Sequence, residues 1–106
     1  VPPITEYSEE RYEFGCVDPG NPAPGVMQVY YEDGIPSMVD FLCPCGCGST
    51  CPIHLQHPNY SGTGGCPRWA YSAGPTLTPS IRFLSGCKAH FNITNGKVLI
   101  HADSGK

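Results

Sequence analysis

Two short runs carry side chains of the kind and spacing that hold a metal ion, Cys45-Gly46-Cys47-Gly48 and Cys87-Lys88-Ala89-His90. Zinc takes about four nitrogen or sulfur ligands in a tetrahedron, and small domains usually present them as two close pairs from two separate turns. Glycines beside the first pair let the backbone curl round an ion with no Cβ in the way. The second pair has C-x-x-H spacing and stands just before a β-prone run. The expected ligand set is therefore Cys45, Cys47, Cys87 and His90 around one zinc, a closed structural site with no position left for water. Cys43 competes for a place in the first pair, because Cys43 and Cys47 are four apart. Cys45 is preferred, since strand alternation puts Cys43 on the face of Val39 and Phe41, where a thiol behaves as a small hydrophobe. His54, His57 and His101 have no comparable partner pattern and are expected to face solvent.

The cysteine count supports metal over disulfides. There are 7 cysteines in 106 residues, an odd number for a disulfide framework, and Cys43, Cys45 and Cys47 crowd alternate positions. Spacing assigns no role to Cys16, Cys51 or Cys66. The layout of two ligand boxes on β-hairpins also resembles that of Rieske proteins, with Cys47 where the first histidine would stand. That resemblance implies a [2Fe–2S] centre held by three cysteines and His90.

The elements that must position these residues read as strands. With 13 Gly and 12 Pro, the chain has many turns and no helical pattern longer than a turn or two. Val1 to Pro24 reads as an acidic, Pro- and Gly-rich, loosely structured lead-in, and residues 25–106 as a single metal-stapled β domain. Gly25 to Tyr31 and Ser37 to Cys43 read as strands joined through the Asp33-Gly34 turn. Cys51 to Leu55 is a further short strand, and the Gly-rich Gln56 to Gly65 a polar loop. Arg68 to Tyr71 is a strand whose Trp69 anchors the core. Thr76 to Thr78 and Ser80 to Leu84 are separate extended pieces, because Pro75 and Pro79 suit no central strand. His90 to Ile93 and Lys97 to His101 form a hairpin through Asn95-Gly96. The expected fold class is all-β, a small Rieske-like or zinc-ribbon-like hairpin sandwich or barrel stapled by one metal site.

Composition narrows the function. A net charge of −3 with only 6 Lys and Arg supplies no basic stripe for a phosphate backbone, so nucleic acid is not an expected partner. No apolar run approaches the roughly 20 residues that span a bilayer, and the first residues lack a signal-peptide pattern. The expectation is a cytoplasmic protein without a membrane partner.

Phe41-Leu42-Cys43-Pro44-Cys45-Gly46-Cys47-Gly48, Trp69, Pro75-Thr76-Leu77-Thr78-Pro79-Ser80-Ile81, Gly86-Cys87-Lys88-Ala89-His90-Phe91 and Asn95-Gly96-Lys97-Val98 together resemble the DUF6527 family of small bacterial and phage proteins. The resemblance covers about the last two-thirds of the chain. It implies a metal-binding domain linked to bacterial ubiquitin-like conjugation operons, and a peptidase that processes or removes the modifier. Under it, the serine of the P-S-I motif, Ser80, is the candidate nucleophile. The plain alternative for Ser80 is a hydroxyl that satisfies backbone groups beside Pro79. A serine nucleophile needs a base within hydrogen-bond reach, and no motif selects one among His54, His57 and His101. Three functions are thus in play: a zinc-stapled serine peptidase of a ubiquitin-like pathway, a non-catalytic zinc module that binds a protein through Tyr30, Tyr31 and Tyr60 or the Gly-rich loop, and an iron–sulfur redox protein.

Overall fold

The structure is a computed structural model and describes residues 2–13, 15, 20–60, 67–84 and 86–106. Cys16, Cys66 and the glycines of 62–65 lie outside the described residues. The architecture is all-β, as the composition required. Strands β1 (Ser8–Glu13), β2 (Val26–Glu32), β3 (Ile35–Leu42) and β4 (Thr50–His54) form one sheet in that order; β5 (Ala70–Ser72), β6 (Thr76–Arg82), β7 (His90–Thr94) and β8 (Lys97–Ile100) form the second. Every pairing is antiparallel except β1 with β2. No helix among the described residues is long and apolar enough to cross a membrane.

The two hairpins with Asp-Gly and Asn-Gly turns form where expected. Asp33 and Gly34 have φ of 55° and 76°, and Asn95 and Gly96 of 49° and 79°. Positive φ at both central residues is what a two-residue hairpin turn demands, and Asp, Asn and Gly tolerate it best. Gly96 is also pinned by packing, since a Cβ there would stand 2.7 Å from the Tyr7 carbonyl oxygen.

The inner faces of the two sheets share one core. Alternation turns Met27, Val29, Val39, Phe41 and Ile53 inward from the first sheet, and Leu77, Ile81, Phe91 and Ile93 from the second. Phe41 and Phe91 meet edge to face across the layer with centroids 6.2 Å apart, a geometry that suits the aromatic quadrupole. Trp69 packs half-buried against this core, in keeping with its expected role as an anchor.

Two expectations need correction. The acidic lead-in is not loose over its described length: Ile4 and Tyr7 are buried, the Tyr7 and Val98 amides donate to the Gly96 and Thr5 carbonyls, and Ser8–Glu13 then crosses to pair with β2. Its acidic residues read as solvated coil, yet on an edge strand they stay at the surface, Glu9 accepting from the Tyr71 hydroxyl and the Gly74 amide, while the backbone carries the pairing. The pieces either side of Pro79 are also one strand, β6. The ladder accommodates the proline by a bulge: between the pairs Leu77↔Ile93 and Ile81↔Phe91, β6 carries Thr78, Pro79 and Ser80 against Asn92 alone on β7. A proline cannot donate to a ladder, so it sits where the ladder is interrupted.

Candidate functional site

The thiolate end is built by the β3–β4 connection and the turn before β7. Cys43 directly follows β3, and its amide donates to the Ser49 carbonyl while the Gly46 amide returns to the Cys43 carbonyl. Gly46 and Gly48, with φ of 89° and 84°, make this tight reversal possible. Cys43, Cys45, Cys47 and Cys87 come together so that their sulfurs all lie within 4.8 Å of one another. Cys43 Sγ is 3.3 Å from Cys45 Sγ and 3.7 Å from Cys87 Sγ. Sulfurs tetrahedral about a zinc at ~2.3 Å would be about 3.8 Å apart, so the group has the size for one ion.

The four thiols differ in acidity. Burial pushes the Cys43 and Cys45 thiols up, whereas hydrogen bonding from Ser49 holds Cys47 down to about 6. Held together as thiolates, four sulfurs need a compensating positive charge, of the kind a divalent ion supplies. Buried Cys51 lies alongside with its thiol lifted to about 12 by desolvation; it is a free, apolar thiol outside the group of four.

This group differs from the expected one by a single exchange, Cys43 for His90. Cys43 belongs to it together with Cys45, so the choice between them falls away. Alternation did place Cys43 on the buried face, but at the end of β3 that face opens onto the ion-sized space between the sulfurs. His90 stands apart from the thiols because both of its ring nitrogens are engaged elsewhere. Among the described residues, the group of four therefore contains no histidine.

His90 joins a second constellation on the outer face of the second sheet. The β6 bulge brings Ser80 to this face, and Ser80 Oγ lies 3.1 Å from His90 Nε2. His90 Nδ1 is 2.7 Å from Asp103 Oδ1. A carboxylate only accepts, so Nδ1 carries the proton and Nε2 presents a lone pair to the Ser80 hydroxyl. Asp103 sits in the turn after β8, where Arg82 Nη1 donates to its other oxygen at 2.9 Å. The His90 hydrogen bond, with the Arg82 charge adding to it, holds the Asp103 carboxyl below the ordinary Asp value. The turn itself is clamped: the His90 amide donates to Ser104 Oγ at 3.0 Å and the Gly105 amide to the Lys88 carbonyl at 2.8 Å. Trp69 Nε1 donates to the Ser80 carbonyl at 3.4 Å.

The other histidines divide. His54 is exposed as expected. His57 is buried, its Nε2–H donating to the Glu32 carbonyl at 2.8 Å and its Nδ1 accepting from the Asn59 amide. That contradicts its expected exposure, and a ring with both nitrogens tied to backbone is a structural strut. His101 is half-buried and stacked on His90. Asp103 and Arg82 carried no motif, and nothing in their spacing marked them. The one arithmetic signal concerned His90: three alternating cysteines plus Cys87 already make a group of four sulfurs.

Ser80, His90 and Asp103 form a hydrogen-bonded chain with the connectivity of a nucleophile, a base and its orienting acid. Their order along the chain differs from that of the chymotrypsin, subtilisin and α/β-hydrolase triads. No curated protein and no solved structure is significantly similar to the chain. The model of the BubE family, described as the bacterial ubiquitination-like system serine protease, matches residues 17–101, and the chain belongs to that family.

Proposed function

We propose that this chain is a serine peptidase in which Ser80 is the nucleophile, His90 the general base and Asp103 the residue that orients it, acting on a bacterial ubiquitin-like modifier as precursor or conjugate. The observation that carries the reading is the continuous line Ser80 Oγ, His90 Nε2, His90 Nδ1, Asp103 Oδ1, with separations of 3.1 and 2.7 Å. In the reaction, the Ser80 oxygen attacks the scissile carbonyl as its proton passes to His90 Nε2. His90 returns that proton to the departing amine, leaving an acyl-serine, and water attacks the ester by the same relay to free Ser80. Asp103 keeps the proton on Nδ1 and stabilises the imidazolium. Family membership supports both the chemistry and the substrate class.

The thiolate group holds one zinc through Cys43, Cys45, Cys47 and Cys87, on this reading. All four positions are thiolates, so the site is closed and structural. Its ion fixes the β6–β7 connection, because Cys87 lies between Ser80 and His90 in sequence and Lys88 receives the Gly105 amide of the Asp103 turn.

The test is cleavage of a modifier bearing a C-terminal extension. Wild type is expected to release the extension, and Ser80→Ala to keep its metal and fold while losing cleavage. Full activity in Ser80→Ala would refute the assignment.

A further inference from the structure

We propose that His101 is a positioning residue for the base, a flat platform that fixes the tilt of the His90 ring. The inference rests on the reading of Ser80 and His90 above. The two imidazoles are stacked, with centroids 4.1 Å apart and planes inclined by 18°. The His101 amide donates to the His90 carbonyl at 2.9 Å, extending the β7–β8 ladder by one step. The His101 ring is itself held, because Nε2–H donates to Asn92 Oδ1. Asn92 is the one β7 residue opposite the bulge that carries Ser80. The platform and the nucleophile therefore refer to the same point on β7.

The need for such a platform follows from the geometry of His90. Its partners, Asp103 at Nδ1 and Ser80 at Nε2, both act in the ring plane. Two in-plane bonds at opposite edges fix direction and tautomer but leave the ring free to rock about the line that joins them. Rocking swings the Nε2 lone pair away from the Ser80 hydroxyl. A parallel ring at 4.1 Å blocks that motion on one side, and it also excludes water from one face of a ring that is only 17% exposed.

The experiment uses the full chain and a fluorophosphonate probe of serine nucleophiles, alongside cleavage kinetics and the proton resonance of the His90 Nδ1–H to Asp103 bond. His101→Ala removes the platform, while His101→Phe keeps a flat ring of similar size. His101→Ala is expected to slow probe labelling and kcat on the order of 10–100-fold with KM unchanged, the scale of a small misplacement of a reacting group. His101→Phe should rescue most of that loss. The Nδ1–H resonance should be sharp in wild type and His101→Phe and lost to exchange in His101→Ala. Labelling at the wild-type rate in His101→Ala, or a His101→Phe variant as slow as His101→Ala, overturns the proposal. If wild type is not labelled at all, the assignment of Ser80 fails; the resonance then decides on His101 alone, and an unchanged line in His101→Ala overturns it.

Discussion

The thiolate group and the Ser80 face hang on the same stretch of chain yet are built on opposite terms. Cys87 and His90 are three residues apart, close enough to read as one ligand pair, and they meet different neighbours. Cys87 turns inward to Cys43, with sulfurs 3.7 Å apart, and packs against the core. His90 opens β7 on the outer face of the sheet and meets Ser80 and Asp103. The difference lies in partners: four sulfurs that ionise together call for a cation, whereas the Ser80 face is a line of donors and acceptors that meet one another. Spacing along a chain selects residues that could meet. Only the elements either side decide whether they do.

Substitutions separate the two regions most sharply at the thiolate end. Cys43→Ala should release the metal and with it much of the fold, because the apparent binding energy of a structural zinc is ~10–16 kcal/mol in small domains. Loss of zinc by atomic absorption and of strand signal by circular dichroism would register this, and a folded, fully metallated variant would remove Cys43 from the group. On the Ser80 face the effects are kinetic. Asp103→Asn should leave metal content and thermal stability near wild type while lowering kcat about 10⁴-fold, the cost of the wrong histidine tautomer. Arg82→Ala should be milder, within a few-fold, since the pair is half exposed and such ion pairs contribute about 0.2–1 kcal/mol. An Arg82→Ala loss as large as that of Asp103→Asn would mean that Arg82 contacts substrate.

The smallest effect is on pH. The His90 hydrogen bond holds the Asp103 carboxyl below its ordinary value of 3.8. A depressed carboxyl contributes stability that is present above the unfolded-state pKa and is lost as pH falls through the folded one. The stability difference between wild type and Asp103→Asn should therefore be flat from neutrality down to about pH 5 and shrink only in the acid range below 3.8. Denaturant titrations at stepped pH would measure it, and a difference that fades already near neutrality would place the lowered group elsewhere.

Much of the scaffold was legible because it obeys local rules. Asp33-Gly34 and Asn95-Gly96 forced their turns by φ alone, and alternation in β3 named Val39 and Phe41 as core. Parts of the fold failed where tertiary context overrode composition: acidic residues do not prevent Ser8–Glu13 from pairing, and Pro79 is absorbed by a bulge that no single-strand rule anticipates. At the site, Ser80 came from family resemblance and the cysteine crowding from the residues themselves. Asp103 was hidden because it needs no motif. It lies in a polar turn of Ala102, Asp103, Ser104 and Gly105, and its relation to His90 exists only once the β7–β8 hairpin folds back and the Ser104 hydroxyl and Gly105 amide dock that turn onto the start of β7.

Metal content of purified His90→Ala is the most direct test of where His90 belongs. One metal ion per chain, as in wild type, is the expected result, because the four sulfurs of Cys43, Cys45, Cys47 and Cys87 suffice. Loss of the ion on removing the imidazole would contradict it and return His90 to the metal site.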